Sequence, residues 1–127
     1  VLGGNVDDHN KNFGFLMGDD GVWHAAPAYD FTFSVDPSAP GYMNRHCMTI
    51  GNKNSDIGRG DLLELAGRYN IKGADAIIEK AIGVVSDYDR DAERAGVSGY
   101  WCSRIKEETG YRIENMSDVA RHRGIGR

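Results

Sequence analysis

With 127 residues, 40% hydrophobic and 27% charged, the chain has the make-up of one globular domain with a core of its own, and no apolar run in it is long enough to span a bilayer. A net charge of −4 argues against an autonomous nucleic-acid binder. Cys47 and Cys102 show no C-x-x-C spacing, which disfavours a disulfide scaffold and a zinc finger and suits a reducing cytoplasm.

The chain opens on GGNVDDHNKNFGF, where two carboxylates, a histidine, a lysine and three amides crowd between glycines. A domain normally starts with scaffold, so so dense a polar loop near Val1 leads to the expectation that this is the C-terminal part of a larger protein. Next comes the apolar run Phe13 to Met17, then Gly18-Asp19-Asp20-Gly21, then Val22 to Ala25, which reads as a β-hairpin ended by Pro27. Residues 34–60 hold Pro37 and Pro40 and are rich in glycine and asparagine. They read as a long irregular stretch, broken by a short strand at Met48 to Ile50.

Helices follow. Asp61 with Glu64 three residues on suggests an N-cap and capping box, ahead of Leu62, Leu65, Ala66 and Tyr69 at helical spacing. Ala74, Ile77, Ile78, Ala81, Ile82 and Val85 form the clearest stripe, predicting a helix that ends near Ala95-Gly96. Val97 to Glu108 and Ser117 to His122 read as shorter helices, and RHRGIGR as a solvated tail. The fold class is therefore α+β, mainly α: one domain over 1–127, with loop and hairpin in 1–33 and a helical subdomain in 61–122.

Asp7, His9, Lys11 and Asn12 share the opening loop, and Asp30 lies across the hairpin, eighteen residues after Asn12. Phosphoryl transfer needs such an inventory: one carboxylate to orient or deprotonate a hydroxyl, and an amide plus a second carboxylate to hold Mg²⁺ against phosphates. Protein kinases place an Asn five residues after the catalytic Asp, and Asp7 to Asn12 has that offset. An Asp/Asn/Gly-rich loop is more often a plain solvated turn; the second Asp beyond a hairpin is what tilts the reading. Asp8, Asp19 and Asp20 read as solvated turn residues, and His24 and His46 as structural histidines. A zinc site from Asp7, His9 and His24 has no familiar ligand spacing.

GNVDDHNKNFGFL, GVWHAAPAYDFTFS and HCMTIGNK together resemble the C-terminal region of HipA-family kinases, the serine/threonine kinase toxins of HipA–HipB toxin–antitoxin pairs. Gly4, Asn5, Asp7, His9, Lys11, Asn12, Pro27, Tyr29 and Asp30 match the family pattern; Ala26 stands where leucine is usual. The specific motifs cover residues 3–51. The resemblance implies a lobe distantly related to phosphoinositide kinases, with Asp7 catalytic, His9 and Lys11 beside the phosphates, Asn12 and Asp30 as Mg²⁺ ligands and ATP as donor. Asn5 would brace the loop. It further implies a cytoplasmic protein substrate of the aminoacyl-tRNA synthetase kind, a HipB-like helix-turn-helix antitoxin, DNA only through that partner, and no membrane.

A kinase also needs a phosphate-covering loop and a lysine on a strand, and neither motif stands in these 127 residues. The chain is thus expected to hold half of an ATP site and to be inactive alone. The alternatives are a pseudokinase-like module that only binds antitoxin or substrate, and a phosphoinositide or small-molecule kinase lobe. The absence of a basic amphipathic segment disfavours a lipid substrate.

Overall fold

The computed structural model describes residues 1–117 and is mainly helical, with a two-stranded antiparallel hairpin. Helix α1 (Arg59–Arg68) starts two residues before the expected cap. Gly58 is the N-cap, and Asp61, at the third helical position, accepts the Gly58 N–H at 2.8 Å while Lys53 Nζ donates to it at 3.0 Å. The carboxylate therefore closes the first turn by reaching backward, the reciprocal half of a capping box. A side chain at Gly58 would press on the Asn115 carbonyl at 3.3 Å, because the end of the helix that holds Asn115 crosses there.

Helix α2 (Ala74–Ser86) carries the long apolar stripe, but it stops at Asp87 rather than running on to Ala95. Ser86 and Asp87 bond readily to nearby backbone and so favour helix ends over interiors. A separate helix α3 (Tyr88–Arg94) follows, and Gly96 takes φ +71° just beyond it, the left-handed cap expected there. Helix α4 (Gly99–Met116) begins where Ser98 Oγ accepts the Trp101 N–H at 3.5 Å. It runs eight residues past the expected end at Glu108, because Thr109, Ile113 and Met116 keep one face toward the interior. Thr109 stays in register by donating its hydroxyl to the Ile105 carbonyl at 2.8 Å. Of the short helix read at 117–122, Ser117 is the C-cap of α4; the rest, and the RHRGIGR tail, lie outside the described residues.

Helix α2 is the hub, packing on α1, α3 and α4. The core beneath it is Leu2, Ile57, Ile78 and Met116, with Leu62, Leu63, Ala81, Ile82, Val85 and Ile113 around them. Met116 is fully buried. Arg59, buried itself, locks the helix ends together: it donates to Asp75 at 2.6 Å, to Glu79 at 2.5 Å and to the Met116 carbonyl at 3.2 Å. Leu2 in that core docks the start of the chain onto the helices, which places the polar loop beside them.

Strands β1 (Phe15–Met17) and β2 (Trp23–Ala25) pair as expected, with Leu16 opposite His24. Gly18 N–H donates to the Val22 carbonyl at 2.9 Å, Gly21 has φ +77°, and Asp20 Oδ1 accepts the Val22 N–H at 3.0 Å. A left-handed glycine after a turn is the usual route to a bulged hairpin. Phe15, Leu16, Met17 and Trp23 are all 58–67% exposed. The strand expected at Met48 to Ile50 shrinks to a single bridge between Ile50 and Lys53, since the adjacent Gly51-Asn52 turn leaves no length for a ladder.

Candidate functional site

The opening loop is irregular because its backbone bonds go to distant segments. Gly4 has φ +68°, and a Cβ there would sit 2.7 Å from Phe33 Cδ2, so only glycine fits. Its carbonyl accepts the Ser34 N–H at 3.0 Å. Ser34 Oγ in turn accepts the N–H groups of Val6 at 2.9 Å and Asp7 at 3.0 Å. The same hydroxyl donates to Asn5 Oδ1 at 3.4 Å, and Asn5 is buried, the bracing position expected of it. On the opposite side the Cys47 N–H donates to the Val6 carbonyl at 3.0 Å. Residues 4–8 are thereby held between two strips, 33–35 and 46–48.

Asn10–Asn12 close one 3-10 turn, in which the Asn12 N–H donates to the His9 carbonyl at 3.0 Å. Asn12 Nδ2 reaches back to the Asp7 carbonyl at 3.1 Å, so the five-residue offset folds into a ring. The Tyr29 hydroxyl donates to the Lys11 carbonyl at 2.8 Å and sets the segment before Asp30 against this turn. Asp30 adopts φ +53°, a left-handed conformation that aspartate tolerates. The segment holding Asp30 is thus anchored to the first loop on both sides, by Tyr29 and by Ser34.

Asp7 is exposed; His9 Nε2 lies 3.8 Å from its Oδ1, and Cys47 Sγ donates to the same oxygen at 3.7 Å. Burial and the nearby Asp7 charge push the Cys47 thiol above its ordinary range, which keeps it a thiol rather than a thiolate. Lys11 and Asp30 are exposed, and their side chains carry no hydrogen bond or ion pair among the described residues. A cleft of about 310 Å³ opens between the loop and the Pro27–Phe31 segment, with Asn5, Asp8, Asn12, Phe13, Tyr29 and Phe31 on its walls.

The donor chemistry suits a hard divalent cation. Asn12 commits its amide nitrogen to Asp7, leaving Oδ1 as the uncommitted end, and Asp30 offers an unpaired carboxylate; Mg²⁺ takes oxygen ligands and needs only one or two carboxylates from protein. Among the described residues, no three of His, Cys, Asp and Glu gather to share a metal. His24 stands on the exposed hairpin opposite Leu16.

Asp8 is not a solvated turn residue. Its Oδ1 accepts the Met48 N–H at 3.1 Å and its Oδ2 meets His46 Nδ1 at 2.8 Å. Burial works against the charged carboxyl, but those bonds from Met48 and His46 hold it below the usual carboxylate range. His46 is buried, with a side chain only 3% exposed. Burial lowers its pKa against the pull of Asp8, so the pair is a carboxylate and a neutral imidazole with the proton on Nδ1. His46 is thus a satisfied structural histidine, as expected. Ser34 and Asp8 are the two residues that reading the sequence missed. A lone serine in an extended stretch carries no local signal, and an Asp-Asp pair beside a glycine turn looks like any surface turn.

No curated protein and no solved structure matches the chain. The family model for the HipA-like C-terminal domain matches residues 1–120, nearly the whole sequence and all of the loops and helices described above. The chain therefore belongs to the HipA-like C-terminal domain family.

Proposed function

We propose that this chain is the catalytic lobe of an ATP- and Mg²⁺-dependent serine/threonine protein kinase of the toxin–antitoxin kind. The observation that carries this reading is the tie between the Asp7–Asn12 ring and the Asp30 segment, made by Tyr29 on one side and Ser34 on the other. Asp7, exposed and fixed through its own N–H, orients the incoming hydroxyl and accepts its proton. Lys11 offers a point charge to the phosphates, and His9, beside Asp7, limits how that carboxylate swings. Asn12 and Asp30 would hold Mg²⁺, which supplies charge neutralisation to the transferring phosphoryl group. A second lobe provides the phosphate-covering loop and the strand lysine, so the chain alone transfers no phosphate.

The acceptor is a cytoplasmic protein hydroxyl, of the aminoacyl-tRNA synthetase class by family likeness, and the regulator a HipB-like helix-turn-helix antitoxin through which DNA is reached. Among the described residues no helix is long and apolar enough to cross a membrane. A second reading, a lobe that only docks antitoxin or substrate, is favoured by the bare apolar hairpin.

The test is phosphate incorporation from ATP into the protein itself or added casein, with the chain joined to its nucleotide lobe. Asp7→Asn should cut transfer by about 10²–10⁴-fold, the usual worth of a general base. Asp30→Asn should raise the Mg²⁺ requirement steeply. Undiminished transfer by Asp7→Asn would remove that residue from the chemistry, and no transfer by the wild type would favour the docking reading.

A further inference from the structure

The kinase reading does not use the contact between Asp8 and the 46–48 strip. Both Asp8 oxygens are engaged there, by Met48 N–H at 3.1 Å and by His46 Nδ1 at 2.8 Å. His46 is anchored in its turn. Its backbone N–H donates to the Asn54 carbonyl at 2.8 Å, and its Nε2 faces an Arg112 guanidinium nitrogen at 3.5 Å. Arg112 belongs to α4 and also donates to the Val1 carbonyl at 3.3 Å. A neutral imidazole suits this chain of contacts: Nδ1–H donates to Asp8 while the Nε2 lone pair faces a cation. A continuous polar path therefore runs from α4, through a buried ring, to the residue next to Asp7.

Asp7 shares a peptide bond with Asp8, and among the described residues its own carboxylate meets an exposed thiol and a half-exposed histidine alone. Its aim is set by the backbone more than by contacts of its side chain. We infer that Asp8 and His46 are positioning residues, a brace that carries the rigidity of α4 to the loop bearing Asp7. The inference rests on the kinase reading for its effect on turnover, though the brace itself does not. Misplacing a reacting group by about 1 Å can cost on the order of 10²-fold in rate, so the loss belongs in kcat rather than in nucleotide binding.

The experiment compares Asp8→Ala, Asp8→Asn and His46→Ala with wild type, in the protein joined to its nucleotide lobe, by phosphate incorporation from ATP into casein. Asp8→Ala and His46→Ala should lower kcat by about tenfold or more with the KM for ATP nearly unchanged. Asp8→Asn keeps an oxygen for the Met48 N–H but sets its amide N–H₂ against His46 Nδ1–H, so it should recover part of the rate. Wild-type kcat in Asp8→Ala, or an Asp8→Asn variant as impaired as Asp8→Ala, would overturn the inference. A wild type that transfers no phosphate would sink the kinase reading alone. The brace is then read by amide exchange in this chain, where Asp7 and Met48 should exchange at least about tenfold faster in Asp8→Ala than in Asp8→Asn. Equal rates overturn it; where the Asp8→Ala chain unfolds, His46→Ala takes its place in both assays with the same loss expected, and His46→Asn, which keeps a donor near the Nδ1 position, is the conservative control that should resemble wild type.

Discussion

Residues 59–116 and residues 1–58 are held together by different physics. The helical half closes over buried side chains, with Ile78 and Met116 at its centre and Arg59 tying three segments at one end. The loop half lends Leu2 and Ile57 to that same core and buries Val6 and Val35, but among the described residues no α-helix holds the stretch between them. The shape of that stretch comes from a few polar side chains: Ser34 Oγ on the N–H groups of Val6 and Asp7, the two Asp8 oxygens on Met48 and His46, and Asn12 Nδ2 on the Asp7 carbonyl. A core spreads its stabilisation over many contacts, each worth little alone. A polar clamp concentrates it in a few bonds, and the geometry it fixes is sharp where chemistry is expected and easily lost.

That difference can be broken from either side. The largest effect should come from Met116→Ala, a fully buried side chain whose truncation costs about 2–5 kcal/mol through lost burial and a residual cavity. Because Leu2 shares that core, thermal unfolding should lose both halves in one transition at a lower temperature. Ser34→Ala should cost less, about 1–2 kcal/mol, since two N–H groups lose their acceptor in a half-buried place. Hydrogen exchange should quicken at Val6 and Asp7 while α2 and α4 keep their protection. Uniform loss of protection would show that the halves are not separable in this way.

Acidification should give the smallest effect and sharpen the contrast. His46 has a folded pKa below its ordinary 6.5, so the unfolded chain takes up that proton first. The stability it contributes is complete above about pH 6.5 and is lost as pH falls from there through the folded value. Asp8, also lowered, acts in the same direction in a separate window beginning below about pH 4. The melting temperature should therefore fall between pH 7.5 and 5.5, and His46→Asn, which has no proton to take up, should flatten that slope. An unchanged slope in the variant would move the effect to another group.

The two halves also differ in how far they can be read in advance. The stripe from Ala74 to Val85 shows in the sequence because a helix repeats its demand for apolar residues every three or four positions. Where that reading slipped, at Asp87 and at the end of α4, a local capping preference or a contact with another helix outweighed the periodicity. In the loop half the hairpin was legible from its turn chemistry, and the spacing of Asp7, His9, Lys11, Asn12 and Asp30 marked the candidate site. Asp8 and Ser34 were not legible, because their partners lie 38 to 40 and 27 to 28 residues away.

By itself, then, the sequence determined where the hairpin and most of the helices fall and which polar residues are candidates for chemistry, since turns, caps and apolar periods are written in neighbouring residues. The tertiary structure alone decided how the Asp30 segment is tied to the Asp7 loop and that Asp8 and His46 face each other. Those pairings follow from where a core of Leu2, Ile57, Ile78 and Met116 brings distant stretches of backbone, and no local pattern encodes where a hydroxyl or a carboxylate will find its partner.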